Sequence, residues 1–156
     1  MATSRVFRHE HLVRINDPTI ERSLWLTRGE LWNGLMHTVL APQAVDETID
    51  EANVIEKSDG VFRREIRRGA ATAADEVRLI EDQSLTIRPD ARGEFCGSSL
   101  TICIEEPAPE MLFVRFTYEL FGADERCEEE DNARRSAYLA SDIERVREAR
   151  LHARRM

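Results

Sequence analysis

The stretch Ser98-Ser-Leu-Thr-Ile-Cys-Ile-Glu-Glu-Pro-Ala-Pro-Glu-Met-Leu-Phe-Val-Arg-Phe-Thr-Tyr-Glu-Leu-Phe-Gly122 decides the fold. Leu100, Ile102 and Ile104 alternate with Thr101, Cys103 and Glu105, and Val114, Phe116 and Tyr118 alternate with Arg115, Thr117 and Glu119. A period of two places one set on each face of a strand, so Ser98 to Glu106 and Met111 to Leu120 are predicted as strands with one apolar and one wet face. The link Pro107-Ala108-Pro109 is far shorter than the dozen or more residues of a parallel crossover, so the pair is antiparallel.

The same pattern extends upstream. Thr48 to Lys57 and Val61 to Arg68 flank Ser58-Asp59-Gly60, a turn whose Asp-Gly tolerates positive φ. Ala71 to Glu81 and Ser84 to Arg88 follow as further strands, separated by Asp82-Gln83 and closed by Pro89-Asp90-Ala91-Arg92-Gly93, so the sheet is expected to be a meander. Near the start, Arg5 to Ile15 forms another strand with Phe7, His9, His11, Val13 and Ile15 in one phase, and Asn16-Asp17-Pro18 stops it.

Two segments have helical spacing. Thr27 and Glu30 form a capping box ahead of a helix from about Arg28 to Thr38, with Leu31, Trp32, Leu35, Met36 and Val39 as its apolar stripe. Gly34 weakens this helix, and Pro42 ends it. From about Glu125 to Ala153 the spacing predicts a helix roughly 40 Å long, with Ala133, Ala137, Ala140, Ile143 and Val146 facing inward. Acidic residues at its start and arginines at its end complement the macrodipole.

A chain of 156 residues, 42% hydrophobic and 33% charged with 7 Gly and 5 Pro, is expected to fold as one domain over residues 1–156. Its net charge of -8 disfavours nucleic acid and anionic lipid surfaces. No stretch approaches the roughly 20 apolar residues of a membrane span. Met1 to Arg8 has no apolar run behind it, so no secretory leader is read. Cys96, Cys103 and Cys127 form neither a paired framework nor a CxxC, consistent with reduced thiols and a cytoplasmic location.

A strand, a short helix, a run of strands and a long final helix make an α+β pattern in which helices cover one face of an antiparallel sheet. An alanine-lined helix leaves space beneath a curved sheet, so a small hydrophobic ligand is the expected partner. Three segments add a resemblance: His11-Leu-Val-Arg-Ile-Asn-Asp-Pro18, Gly97-Ser-Ser-Leu-Thr-Ile-Cys-Ile-Glu-Glu-Pro107 and Phe113-Val-Arg-Phe-Thr-Tyr-Glu119 resemble those of the AtaL-like family of the START-like (SRPBCC) superfamily. That superfamily includes birch-pollen-type (Bet v) allergens, polyketide aromatase/cyclases and lipid-transfer domains. The resemblance implies a helix-grip fold, a curved antiparallel sheet of six to seven strands around a long C-terminal helix with a cavity between them. It carries over no catalytic residue.

Candidate pocket residues follow from phase. His9 and His11 share the apolar face of the first strand and suit proton transfer. As metal ligands they would need partners that the sequence does not single out, so neither metal nor cofactor is expected. Arg64 lies in phase with Phe62 and Ile66 and must find a carboxylate, from the protein or from a bound acid. Tyr118 offers one hydrogen bond within an apolar face, or else packs as a core tyrosine. Trp32 and Met36 line a mouth or fill the core, and Ile102, Phe116, Ala140 and Ile143 supply apolar lining. Asp46, Glu47, Asp50 and Glu51 read as a solvated acidic loop. No phosphate loop or nucleophile elbow occurs. Three functions stay open: a binder or carrier of a small hydrophobic molecule; a cyclase, hydratase or isomerase acting on a polyketide-like or aromatic metabolite; or a protein-interaction module using Arg147 and Arg150 on the outer face of the final helix. Nothing in the sequence fixes an oligomeric state.

Overall fold

A computed structural model describes residues 4–90, 97–122 and 128–154. Its strands are β1 (Ser4–Arg14), β2 (Glu51–Ser58), β3 (Val61–Arg68), β4 (Ala71–Ile80), β5 (Ser84–Pro89), β6 (Ser98–Glu105) and β7 (Phe113–Gly122), and its helices are α1 (Arg28–Leu40) and α2 (Glu128–His152). The expected turn residues Ala91, Arg92 and Gly93, the cysteines Cys96 and Cys127, and the expected helix start at Glu125 lie outside the described residues. Cys103 carries a free, half-buried thiol.

All seven strands join one curved antiparallel sheet in the order β1-β7-β6-β5-β4-β3-β2. From β2 to β7 it is the meander that the short links require. The first strand returns to pair with the last, setting His9 opposite Tyr118 and His11 opposite Phe116. Next to them, β6 sets Leu100 opposite Tyr118 and Ile102 opposite Phe116. The phases read from sequence hold: Val114, Phe116, Tyr118, Ile102 and Ile104 are buried, while Arg115, Thr117 and Glu105 face the other side with partial exposure.

The capping box at α1 forms as expected: the Thr27 amide donates to Glu30 Oε1 at 2.9 Å, and the Glu30 amide donates to Thr27 Oγ1 at 3.1 Å. Gly34 has a purpose that propensity alone does not reveal. A Cβ at this position would stand 2.1 Å from the Ala149 carbonyl oxygen, so glycine lets α1 and α2 cross in backbone contact. Around this crossing, Leu31, Leu35 and Val39 of α1, Val146 and Ala149 of α2, and Ala153 just past its end close one end of the core against the sheet.

The stripe that α2 turns inward differs from the expected one. Ala133, Ala137 and Ala140 are exposed, and Ile143 is 56% exposed. The inward residues are Tyr138, Asp142, Arg145, Val146, Ala149 and Ala153, which keep helical spacing about a different face. Two of them are charged, and this broke the apolar signal that would have set the phase. Arg150 is also not on the outer face: it is half-buried and donates to the carbonyls of Ile15 and, at 3.5 Å, Leu24. Arg147 does face outward, paired with Glu144.

Candidate functional site

Beyond the helix crossing, the sheet and α2 separate to leave a cleft of about 380 Å³. Its lining includes Ile87, Leu100 and Tyr118 from the sheet, Val45 and Ile49 from the segment after α1, and Tyr138 and Arg145 from α2. This volume falls in the range of small-molecule sites, about 300–1,000 Å³. A larger hollow of about 620 Å³, beside Arg28, Glu81 and Cys103, has a mostly polar rim and does not lie beneath the helix.

One wall of the cleft is aromatic. Tyr118 and Tyr138 stack with ring centroids 3.8 Å apart and planes within 4°. Behind them lies a polar cluster centred on Asp142, whose side chain is fully buried. Tyr118 Oη donates to Asp142 Oδ1, and Arg145 Nη1 donates to the same oxygen at 2.6 Å. The other carboxylate oxygen, Oδ2, lies 3.0 Å from His11 Nε2 without a hydrogen bond to it. On its far side, His11 Nδ1 stands 3.2 Å from His9 Nε2. The His11 ring stacks on Phe116, and the Arg145 guanidinium sits over the same phenyl group at 5.9 Å.

Burial shifts the proton affinity of each of these groups toward its neutral form. Burial pushes the Asp142 carboxyl up to about 6, against the pull of Arg145 and Tyr118. The imidazoles of His9 and His11 are held below their ordinary value, chiefly by burial, with the charge of Arg135 adding to the effect at His9 and that of His9 at His11. Burial raises the Tyr118 phenol, with Asp142 adding to the effect and Arg145 opposing it. Tyr118 is therefore a neutral hydrogen-bond donor at physiological pH. A single proton placed between His11 Nε2 and Asp142 Oδ2 would satisfy both orphaned atoms.

Of the residues expected at the pocket, Tyr118 and Arg64 line the cleft. Arg64 finds its carboxylate in the protein: Nε and Nη2 donate to the two oxygens of Asp75 at 2.9 and 2.6 Å, and Nη1 donates to the Val39 carbonyl at 2.6 Å. Asp75 is its direct cross-strand neighbour, and both are buried. His9 and His11 stand behind the tyrosine pair and not on the cleft surface. Trp32, Phe62, Ile102 and Phe116 are packed into the core, with Met36 partly buried against it. Ala140 and Ile143 are corrected to solvent, because α2 presents its other face. Asp142, Arg145 and Tyr138 were missed. The detectable signal was Tyr138, Asp142 and Arg145 at helical spacing with Val146 and Ala149, a stripe that an apolar criterion rejects.

A curved seven-stranded antiparallel sheet gripped by one long C-terminal helix defines a helix-grip α+β chain. The chain belongs to the AtaL family: the description for Acetylaranotin biosynthesis cluster protein L matches residues 10–156. No curated protein matches the sequence. Among solved structures, the Zhui aromatase/cyclase of Streptomyces sp. R1128 is similar at 12% identity and a TM-score of 0.63, over 96% of this chain and 94% of that one. The di-domain aromatase/cyclase StfQ of the steffimycin biosynthetic pathway is similar at 9% identity and a TM-score of 0.70, over 94% of this chain and 50% of that one. Ara h 8.0201 is similar at 8% identity and a TM-score of 0.62, over 97% of this chain and 98% of that one.

Proposed function

We propose that this chain binds a small hydrophobic molecule in the cleft beneath α2, with an oxygen of that molecule anchored at Tyr118 and Arg145. The reading rests on one observation: a cleft of about 380 Å³, with an apolar and aromatic wall and a charged rim that includes Asp46, Arg68 and Glu119, whose Tyr118 and Arg145 converge on the buried carboxylate behind it. Apolar walls supply affinity, and a few fixed polar groups supply orientation. The stacked tyrosines suit a flat, aromatic or polyketide-like ligand, which would slide along the Tyr138 ring. Native mass spectrometry of protein purified without denaturant, joined to a thermal-shift screen of aromatic metabolites, tests this reading. A bound mass and a screen hit that both vanish when Leu100→Trp fills the cleft are expected; a screen without a hit, in protein without a bound mass, contradicts it.

A second reading, an enzyme of the cyclase, hydratase or isomerase kind, is favoured by the 3.0 Å approach of His11 to the buried Asp142 behind Tyr118, where burial lowers the imidazole and raises the carboxyl. Tyr118 is the member of that set that meets the cleft; its neutral hydroxyl, now donated to Asp142, would turn to hydrogen-bond a substrate carbonyl, and its raised pKa suits it to polarise that oxygen more than to give up its proton. Arg145 would stabilise the developing oxyanion. For the ligand found by mass spectrometry, Tyr118→Phe should retain binding and lose turnover by about 100-fold or more. Equal turnover in wild type and variant rules out this role for Tyr118.

A further inference from the structure

The backbone contact between Gly34 and Ala149 brings together three side chains that the cleft does not use. His37 stands one turn beyond Gly34 on α1, and Glu148 and His152 stand one turn apart on α2, so all three flank the same crossing. One ligand-capable atom from each lies within 4.8 Å of the other two, and all three residues are half-buried. The imidazoles of His37 and His152 stack with centroids 3.6 Å apart and planes at 22°. Across from them, Glu148 Oε2 is 3.5 Å from His152 Nε2, while its Oε1 is 3.4 Å from Arg147 Nη2.

We infer that His37, Glu148 and His152 form a binding site for a divalent transition-metal ion of the zinc type, with a fourth position open to water. The donor set selects the metal. Two imidazoles and one carboxylate suit zinc and its neighbours, whereas magnesium and calcium demand shells of oxygen. The geometry is close to what the ion needs. Bonds of about 2.1 Å in a tetrahedral set place donor atoms about 3.4 Å apart, so the cluster contracts by up to about 1.4 Å and the stacked imidazoles rotate apart until their in-plane lone pairs converge, both through side-chain torsions. The frame is stiff, because Glu148 and His152 share one helix at i and i+4 and glycine at 34 fixes the approach of the other. None of the three lines the cleft, so the ion would clamp α1 to α2 and would not meet a ligand there. This inference does not depend on the function proposed for the cleft.

Calorimetric titration of untagged, chelator-stripped full-length chain with zinc chloride tests the site, with cobalt(II) absorption reporting the coordination geometry. One ion per chain is expected, with affinity falling roughly 10- to 100-fold in both His37→Ala and His152→Ala. Affinity should also fall on acidification, since protons compete for both imidazoles. Free zinc at about 100 times its Kd should raise the wild-type Tm by about 5–10 °C. Circular dichroism checks that each variant is folded, and Glu148→Gln, which keeps size and removes charge, replaces any that is not. The inference is overturned by the absence of saturable binding, by unchanged affinity in all three variants, or by a loss that instead follows His9→Gln or His11→Gln.

Discussion

The two ends of α2 are buried by opposite means. Toward its C-terminus, Val146 and Ala149, with Ala153 just past the helix, pack against α1 and the sheet, and the Ala149 backbone comes so close that Gly34 has no room for a methyl group. Earlier in the helix, Tyr138, Asp142 and Arg145 stand over the same sheet and leave a cleft of about 380 Å³. The first end is held by shape. The second holds a buried carboxylate that Tyr118 and Arg145 bond through one oxygen, with His11 3.0 Å from the other but not bonded to it. A single helix therefore carries a fully packed anchor and an underpacked polar site, and the anchor supplies the rigidity that keeps the polar groups in place.

Substitutions at the packed end and its supports are expected to cost stability, and those at the cleft to change binding or pH response. The largest loss is expected from Asp75→Ala, which strands the buried Arg64 guanidinium and should cost about 3–5 kcal/mol in urea denaturation. Gly34→Val follows, at about 3 kcal/mol, because the Ala149 carbonyl cannot withdraw without moving α2. A cost below about 1 kcal/mol would show that the helices do not cross so closely.

Asp142 sharpens the contrast through pH. Its folded value of about 6 lies above the ordinary 3.8, so the fold binds this proton more tightly than the unfolded chain does. The contribution is full below about pH 4 and is lost as pH rises through about 6, on the order of 3 kcal/mol in all. His9 and His11 act with the opposite sign, since their depressed imidazoles favour the fold when neutral and cost stability as pH falls below about 6.5. Asp142→Asn should therefore flatten the loss between pH 4 and about 6 in denaturation midpoints; an unchanged slope would mean that the carboxyl is not buried as described. The smallest effect, about 1 kcal/mol, is expected for Thr27→Ala, which removes half of the α1 capping box.

Much of the fold was legible because its signals are local and redundant. The alternation in β6 and β7, the Asp59-Gly60 turn and the Thr27/Glu30 box each dictate structure within a few residues. The phase of α2 was not legible for the reason that makes it interesting. Alanine at positions 133, 137 and 140 imitates a buried stripe, while the real one is interrupted by Asp142 and Arg145, and a hydrophobic pattern gives no credit to a charge that is buried against a partner from another strand. Tyr118 and Arg64 could be found because strand phase places them without reference to α2. The pairing of Arg64 with Asp75 needed the register of β3 on β4, which follows from the tight turn between those strands. The convergence of His37 on His152 depends on a helix crossing and has no counterpart in linear spacing.

The most direct measurement is a fluorescence titration with 8-anilinonaphthalene-1-sulfonate, an aromatic anion, on folded wild type, Arg145→Met and the exterior control Arg147→Met. Saturable binding of one probe per chain is predicted, weakened roughly 10-fold or more in Arg145→Met, where a charge-assisted contact worth about 1.5–3 kcal/mol is lost. Binding should be unchanged in Arg147→Met. Equal affinity in all three proteins, or no saturable binding, would contradict a ligand site beneath α2.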